Sequence, residues 1–398
     1  MLNEVLDRAR DVIVNSKYRE AAIIHHDDAD GLCSAALAKI ALERLGYTVK
    51  LVCLEKLFPQ VISLIHNKFS NKLIVYTDLG SPHTSIISSN ITCQNVVIID
   101  HHDPEVVEHS NMVHINPELF GYSGEFDATA STMTYILFRR ILKDIEHYVP
   151  LALIGASEAP GPPRGLNRMV LDEATSAGKA YYRDGKVYVD FHGVKKSTIE
   201  LSSKLTTLGS IGYYMNGPKR AIEVCIRGFN YSDEVFLREL ESIKRRVFKE
   251  ATTIAFKRLV KGRYIQWFTI GKLFYNIGAK SIGLLCSYIK YKSFIDGDKY
   301  ILGFMDLNPV IPGFTVLKNQ YVKVSGRVPE KLSQQIKSGF MPSLSLVMAK
   351  AAKRVNGFAD GHTYAASGII PKGFEEKYVG EMEKLIEVYK GLGKYLIK

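Results

Sequence analysis

The chain has 398 residues, of which 46% are hydrophobic and 23% are charged. This composition is typical of a globular protein with two or three domains, and it excludes a disordered or fibrous protein. No apolar run reaches the roughly 18 residues that a membrane-spanning helix needs, so we expect no membrane span. The N-terminal 20 residues are charged and amphipathic and do not resemble a secretion signal.

Lysine and arginine outnumber aspartate and glutamate by 52 to 41, which gives a formal net charge of +11 and a pI near 9.2. A basic surface favours polyanionic partners such as nucleic acid, although a lysine-rich surface that only keeps the protein hydrated would have the same charge. The five cysteines are scattered without a CxxC pair. They argue against a disulfide framework or structural zinc, and favour the reducing cytoplasm.

The first half of the chain alternates short apolar runs with segments of helical spacing. The runs at 21–24, 50–54, 72–77 and 95–99 predict buried parallel strands, and 31–45, 59–66 and 81–89 predict the helices between them. Strands that alternate with helices in this way form a doubly wound parallel sheet. Further helices are predicted over 128–142 and 147–157, and a β-hairpin over 181–189.

The second half begins with a mainly helical stretch, residues 195–262, which ends in a long basic helix over 233–261. Strand patterns return at 263–270, 299–307 and 321–328, and helices are predicted at about 330–354 and 375–393. We therefore expect an α/β domain over residues 1–194, a helical linker over 195–262, and a second α/β domain over 263–398.

Acidic residues and histidines follow three of the predicted strands. They are His26-Asp27-Asp28-Ala29-Asp30-Gly31, Asp78-Leu79-Gly80 and Asp100-His101-His102. An aspartate after a strand, such as Asp30, can simply cap the next helix, but the carboxyl ends of parallel strands meet at one edge of the sheet. Crowded carboxylates need cations to neutralise them, and oxygen and imidazole ligands without thiolate suit Mn²⁺ or Mg²⁺. The sequence thus predicts a site for two divalent ions that promotes phosphoryl transfer.

These motifs resemble those of the DHH phosphoesterase superfamily. Residues 100–102 resemble the family's Asp-His-His signature, residues 26–31 its HxDxDG motif, and residues 77–80 its second motif. Residues 361–368 resemble the GHxxAAxG element of the associated substrate-binding domain. Within the superfamily, segments 208–214 and 323–327 are most similar to archaeal RecJ-type single-strand exonucleases. The resemblance implies a DHH domain followed by a DHH-associated substrate domain.

The resemblance also assigns roles to individual residues. It implies metal ligands at His26, Asp28, Asp30, Asp78 and His101 for two Mn²⁺ or Mg²⁺ ions. It implies that Asp100 is a further ligand or lies beside the second ion, and that His102 polarises the scissile phosphate. In the second domain it implies contacts to the substrate backbone from Ser325, Arg327, Gly361 and His362.

The sequence departs from the family pattern at two places. The family has a fourth motif that contains an aspartate, but residues 152–160 contain none and offer Glu158 one position early. Two alternatives follow: Glu158 completes the metal site with its longer side chain, or the site lacks a ligand and is weak or inactive. The second departure is Ala359-Asp360, where the family usually has glycines.

The sequence therefore predicts a metal-dependent exonuclease that hydrolyses phosphodiester bonds of single-stranded DNA or RNA, in replication, repair or RNA turnover. The missing aspartate favours an alternative, a catalytically weakened scaffold at the replication fork that binds the GINS complex or other replisome proteins. A small-nucleotide phosphatase or nano-RNase is a third alternative, and these branches are less similar in segments 208–214 and 323–327.

Overall fold

The structure is a computed structural model that describes residues 1–396, with side chains through residue 390. The chain divides into two compact units, Met1–Arg238 and Glu239–Lys398. The predicted boundaries at residues 194 and 262 do not coincide with this division, and the three-part organisation stays a prediction. In the part of the chain that is described, no helix combines the length and the apolar character needed to cross a membrane.

The first unit is built around a five-stranded parallel sheet. Its strands are β1 (Glu20–His26), β2 (Thr48–Leu54), β3 (Leu73–Thr77), β4 (Val96–Ile99) and β5 (Met112–Ile115). Their order across the sheet is β2-β1-β3-β4-β5, and every neighbouring pair is parallel. The order reverses between β1 and β3, which confirms the doubly wound arrangement and places a switch point there.

Helices flank this sheet and join it to a small antiparallel sheet. The helices are α1 (Leu2–Val14), α2 (Ala29–Arg44), α3 (Pro59–Lys68), α4 (Thr84–Ser89), α5 (Ala130–Arg139), α6 (Val149–Ala156), α7 (Gly165–Ser176), α8 (Thr198–Thr206), α9 (Gly217–Arg227) and α10 (Tyr231–Arg258), which crosses the division between the units. The small sheet contains β6 (Ala180–Arg183), β7 (Lys186–Phe191) and β8 (Val194–Ser197).

Helix α2 is the centre of the first unit. Thirteen of its sixteen residues are buried, because α5 and α6 pack on it from one part of the chain and α8 and α9 from another. A helix that is buried on all sides needs small and apolar residues all round, and its sequence, ADGLCSAALAKIALER, supplies them. The packing of α8 and α9 explains why residues 195–238, expected in a linker, lie in the first unit.

The second unit is a six-stranded mixed sheet covered by helices. Its sheet order is β15-β16-β14-β11-β10-β9, from β9 (Val260–Lys261), β10 (Ile265–Thr269), β11 (Tyr300–Asp306), β14 (Tyr321–Arg327), β15 (Phe358–Gly361) and β16 (Ala365–Pro371). A separate ribbon pairs β12 (Val310–Ile311) with β13 (Thr315–Val316). The helices are α11 (Lys280–Ile289), α12 (Glu330–Lys337), α13 (Leu344–Arg354) and α14 (Glu375–Leu396).

The single helix expected at about 330–354 is two helices, α12 and α13. Gly339 interrupts it with a φ of +74°, a conformation that favours glycine. Ser343 then starts α13 as its N-cap and accepts a hydrogen bond from the Leu346 amide. Both helices contribute to the apolar core of the second unit, through residues such as Leu332 on α12 and Met348 on α13.

A buried polar contact fixes α3 against the large sheet. The Gln94 side-chain amide donates to Nδ1 of His66 at 2.7 Å, and Nε2 of His66 lies 3.0 Å from Tyr76 Oη. His66 is 2% exposed, and burial lowers its pKa to about 4. The imidazole is therefore neutral in the folded protein at neutral pH.

This burial makes the stability of the fold depend on pH. In the unfolded chain a histidine takes up a proton near pH 6.5, so the stability contributed by neutral His66 is present above that pH and is lost as the pH falls toward 4. Between pH 7 and pH 5 the free energy of unfolding of the wild type should fall by roughly 2 kcal/mol more than that of His66→Gln. Urea unfolding at both pH values measures this difference, and equal decreases in the two proteins would contradict it.

Candidate metal centre

The three motifs meet at one edge of the large sheet, beside its switch point. His26 ends β1, Asp78 directly follows β3, and Asp100 directly follows β4. Because β1, β3 and β4 are neighbouring parallel strands, their carboxyl ends lie side by side. This is the position at which open α/β sheets bind ligands.

The first motif joins β1 to the N-terminus of α2. Asp28, not Asp30, is the N-cap of this helix, and its Oδ1 accepts a hydrogen bond from the Gly31 amide at 3.1 Å. Gly31 packs so closely on β1 that a Cβ there would lie 2.7 Å from the Cβ of His26. Asp28 Oδ2 lies 2.8 Å from Nδ1 of His26, so the helix start and the strand end hold this pair together.

Asp30 is held by the N-terminus of a second helix. Its two carboxylate oxygens accept hydrogen bonds from the backbone amides of Ala130 at 2.8 Å and Ser131 at 2.9 Å, in the first turn of α5. Helix N-termini stabilise anions because their amides lack partners within the helix. Gly155 on α6 leaves the room for this carboxylate, since a Cβ there would lie 2.6 Å from Asp30 Oδ1.

Asp78 lies between two histidines. Its Oδ1 is 3.2 Å from Nε2 of His101, and its Oδ2 is 3.5 Å from Nδ1 of His26. The backbone of Asp78 has a φ of +60°, an uncommon conformation for a residue other than glycine. His101 in turn is oriented by the Gly124 carbonyl, 2.6 Å from its Nδ1, and lies 3.7 Å from Asp30 Oδ2.

Two groups of side chains in the described residues have the spacing of a metal site. The groups are His26, Asp28 and Asp78, and Asp78, His101 and His102; within each group the ligand atoms lie within 4.8 Å of one another. Asp78 belongs to both groups. The two candidate groups therefore meet at one shared carboxylate.

Asp100 belongs to neither group but is hydrogen-bonded to the two histidines of its own motif and to Ser81. Its Oδ1 accepts from the His101 amide and lies 2.7 Å from Nδ1 of His102, and its Oδ2 accepts from the Ser81 amide at 2.8 Å. The side chain is fully buried. Asp100 thus fixes the imidazole of His102, whose side chain is 41% exposed.

The buried charges of the site compensate one another. Burial raises the pKa of Asp30 to about 7, and the negative charge of Asp78 adds to this shift. Burial alone would lower the pKa of His101, but Asp78 outweighs it and raises that pKa to about 10. In the same way Asp28 and Asp27 hold the pKa of His26 well above its usual value, and Asp100 raises that of His102. Without a cation, protons on these groups offset the carboxylates.

Glu158 lies outside both groups. The residue is exposed, and its Oε1 accepts a hydrogen bond from the Thr206 hydroxyl at 3.0 Å. The same hydroxyl accepts from the Ala29 amide at the start of α2. Glu158 is therefore connected to the first motif through Thr206, and a role as a metal ligand remains a prediction.

The charged residues of the site can be identified from the sequence, but the groups that anchor them cannot. Ser81 fixes Asp100, and Ala130 and Ser131 fix Asp30, in each case through a backbone amide. Residue types do not reveal which backbone amides donate to a site. The run of small residues at 127–132, at the start of the helix predicted over 128–142, was the only available indication that a helix N-terminus lies there.

The four predicted substrate residues lie on the two strands that flank β16 in the second unit, or directly after one of them. Ser325 and Arg327 are on β14, Gly361 ends β15, and His362 begins the turn over 362–364 that leads to β16. Across β14 and β16, Ser325 pairs with Ser367 and Arg327 with Ala365. Gly361 has a φ of +137°, and His362 donates its amide to the Ala365 carbonyl at 2.8 Å. Asp360, the second departure from the family pattern, lies on β15 opposite Ser367.

Comparison with known proteins agrees with this architecture. Residues 20–156 match the DHH family, N-terminal domain. An uncharacterized protein of Methanocaldococcus jannaschii is 29% identical over 180 residues, which are 44% of this chain and 40% of that protein. RecJ from Thermus thermophilus, in complex with Mn²⁺, has a TM-score of 0.60 at 14% identity, over 97% of this chain and 54% of that one. CDC45 from Entamoeba histolytica has a TM-score of 0.57 at 9% identity, over 97% and 98% of the two chains.

The family match describes a domain within the first unit. The first unit contains a DHH domain, and the predicted resemblance to the DHH superfamily is confirmed. The chain as a whole has a RecJ-like fold, although it spans 40% of the length of the curated relative and 54% of that RecJ.

The close approach at Gly155 allows a direct test of the site geometry. In Gly155→Ala the new Cβ would lie 2.2 Å from Ser131 Oγ as well as against Asp30, so we expect a loss of roughly 1–3 kcal/mol in unfolding free energy and weaker Mn²⁺ binding. The control is Gly380→Ala on α14, where a Cβ would meet nothing within 4 Å and should stabilise by up to about 1 kcal/mol. Thermal unfolding and calorimetric Mn²⁺ titration measure both effects. If Gly155→Ala and Gly380→Ala had the same stability and the same Mn²⁺ affinity, the close approach between Gly155 and Asp30 would be contradicted.

Proposed function

We propose that this protein is a metal-dependent phosphodiesterase that shortens single-stranded DNA or RNA from an end. The observation that carries the proposal is the pair of side-chain groups that share Asp78. A shared carboxylate between two cation positions suits phosphoryl transfer, in which two ions about 3.5–4 Å apart stabilise the attacking and the leaving oxygen.

The residues of the site fit divalent cations of the Mn²⁺ or Mg²⁺ type. The donors are carboxylate oxygens and imidazole nitrogens without thiolate, which suits these ions. The carboxyl groups of Asp30 and Asp78 are buried close to each other, and each is at most 3% exposed. Such a pair needs positive charge nearby, so a cation would take over the role that protons on His26 and His101 have in the ion-free protein.

We propose His26, Asp28, Asp30, Asp78 and His101 as the residues that hold two ions. When bound, the ions would supply a water of lowered pKa and compensate negative charge on the phosphate. His102 would donate a hydrogen bond to a phosphate oxygen. It suits this role because Asp100 holds its ring, its raised pKa favours the protonated form, and it is the most exposed of the three histidines.

In the second unit we propose that Ser325, Arg327, Gly361 and His362 contact the substrate backbone. Arg327 supports this role because it is half-buried, and burial lowers the pKa of its guanidinium from the usual value. Nε donates to Ser287 Oγ at 2.8 Å, and Gly283 leaves space beside Nη2. A guanidinium fixed in this way suits a phosphate group. The net charge of +11 also favours a polyanion, in the cytoplasm that the scattered cysteines indicate.

A second candidate function is a catalytically weakened scaffold of the replication fork that binds GINS or other replisome proteins. The observation that favours it is the position of Glu158, which is exposed and bound to Thr206 outside both metal groups. The fold is compatible with either candidate, because both RecJ and CDC45 share it.

Incubation with end-labelled single strands distinguishes the two candidates. We expect stepwise shortening of DNA or RNA single strands only when Mn²⁺ is present, and little cleavage of duplexes. Asp78→Ala should lower turnover by more than roughly 100-fold. A loss of that size is the upper end of what is seen when a residue that only supports a metal ligand is removed. Arg327→Ala should lower turnover but not Mn²⁺ binding. The matched control is Arg354→Ala, an arginine of the same unit that pairs with Glu381 at the surface, and its activity should equal that of the wild type.

The contrary result is equally clear. If the wild type binds Mn²⁺ and single strands but yields no product from DNA or RNA, the nuclease proposal is wrong and the scaffold proposal is favoured. If Asp78→Ala cleaves single strands as fast as the wild type, the cleavage does not come from this site.

A further inference from the structure

Two exposed tyrosines and two lysines form a surface patch at the C-terminal end of α11 in the second unit. Tyr288 is 51% exposed and Tyr291 is 76% exposed, and Lys290 and Lys292 alternate with them along the chain. We call these four residues the tyrosine–lysine patch. Single exposed apolar residues are ordinary on protein surfaces. Here two large rings and two positive charges lie within five consecutive positions, which suits a ligand with both flat and charged groups.

Each lysine ammonium lies over one of the two rings. Nζ of Lys292 is 4.3 Å from the centre of the Tyr288 ring, and Nζ of Lys290 is 4.8 Å from the centre of the Tyr291 ring. A positive charge at such a distance is attracted to the electron-rich face of the ring. In the described part of the chain, neither lysine forms an ion pair with a carboxylate. The contacts therefore hold the rings and the positive charges together as one surface.

The patch belongs to a segment of the chain that has no acidic residue. Residues 251–295 contain eight lysines and arginines and no aspartate or glutamate, so they supply eight of the eleven net positive charges of the chain. The acids that follow directly, Asp296 and Asp298, pair with Lys299 and Lys331. A segment of this charge attracts polyanions.

The patch also adjoins the arginine that we propose as a contact to the substrate backbone. Nε of Arg327 donates to Ser287 Oγ at 2.8 Å, and Ser287 directly precedes Tyr288 on α11. One turn earlier on this helix, a Cβ at Gly283 would lie 2.9 Å from Nη2 of Arg327. Consecutive residues of a helix rise by only about 1.5 Å. A strand with one phosphate at Arg327 therefore has its neighbouring nucleotides close to the patch.

We infer that the tyrosine–lysine patch binds unpaired nucleotides that neighbour the phosphate held at Arg327. Bases stack on the rings of Tyr288 and Tyr291, and Lys290 and Lys292 contact the phosphates between them. The lysines reach these phosphates because their ammonium groups are carried on flexible four-carbon stems. Stacking accepts any base, since every base has an aromatic face. The inference rests on the proposed function and deepens it, because it assigns a binding surface to the part of the strand outside the metal centre.

A protein is the other kind of partner for an exposed aromatic patch. Protein interfaces are enriched in tyrosine but depleted in lysine, whereas in this patch each ring has a lysine beside it. Surfaces that bind single strands combine aromatic rings with basic groups, because the ligand itself combines flat bases with charged phosphates. The composition of the patch therefore favours a single strand.

The test measures the affinity of the full-length protein for single strands of about 12 nucleotides. Fluorescence anisotropy is recorded without added metal, so that no strand is cut. One double variant combines Tyr288→Ala with Tyr291→Ala, and the other combines Lys290→Gln with Lys292→Gln. Each protein is measured on an ordinary strand and on an abasic strand, which has the same phosphates but no bases.

The controls change the same residue types away from the patch. Tyr182→Ala changes an exposed tyrosine on β6 of the first unit. Lys337→Gln combined with Lys353→Gln removes two exposed lysines from the second unit, so the net charge equals that of the lysine double variant of the patch. Both controls should bind the strands as the wild type does.

We expect the tyrosine double variant to bind the ordinary strand roughly 10-fold or more weakly, because the bases lose the rings on which they stack. It should bind the abasic strand as the wild type does, since that strand has no base to stack. The lysine double variant should bind both strands more weakly. Its plot of log affinity against log salt concentration should be less steep by about 1.4, the contribution of two phosphate contacts to a single strand.

Three results would overturn the inference. Wild-type affinity of the tyrosine double variant for the ordinary strand would show that the patch binds no bases, and would favour a protein partner. An equal loss on the ordinary and the abasic strand would show that the rings do not stack on bases. A loss together with a lowered melting temperature would show a structural role. If the wild type itself binds no single strand, the proposed function fails as well, and the wild-type measurement separates that case from the other three.

Discussion

The crowding of carboxylates at one sheet edge is the constraint on which the rest of the structure depends. Asp30, Asp78 and Asp100 have at most 3% of their side chains exposed. Buried carboxylates repel one another, and each loses hydration when it leaves water. The surrounding elements counter this with partial and full positive charges: the N-terminus of α5 faces Asp30, the amide of Ser81 faces Asp100, and histidines face Asp78.

These requirements account for the less regular features of the first unit. Helix α2 must start directly at the site, so it runs through the middle of the unit and is buried on almost every face. Gly31 and Gly155 allow the backbone to approach His26 and Asp30 more closely than any side chain would permit. Asp78 adopts a φ of +60°, and backbone conformations of this kind persist where the surrounding structure over-determines them.

Much of the fold and of the site could be predicted from local sequence. The apolar runs of β1, β3 and β4 are followed at once by acidic residues, and parallel strands bring such ends to one edge. The strand β5 was missed because its four residues, Met112–Ile115, are too short to show a periodic pattern. The strands β15 and β16 were missed because glycine and alanine, which carry little strand preference, make up five of their eleven residues.

The supporting contacts could not be predicted, because they come from residues that are far apart in the chain. The amides of α5 reach Asp30 across about 100 positions, as Ala130 shows, and Gly209 meets Asp27 from the far end of the unit. The burial of Asp27 is the clearest case. An aspartate between a histidine and another aspartate can be either a surface residue or one that lies behind the ligands, and its burial appears only once residues 207–211 pack on it.

The central claim is that this sheet edge binds two divalent cations that share Asp78. Crystals grown with Mn²⁺ and measured at the manganese absorption edge test it most directly, because anomalous scattering locates the ions without reference to activity. The account predicts two peaks, one beside His26, Asp28 and Asp78 and one beside Asp78 and His101, each at roughly 2.0–2.3 Å from its ligand atoms. Anomalous peaks only elsewhere in the protein would contradict it. So would fully occupied ions at this sheet edge that do not contact Asp78.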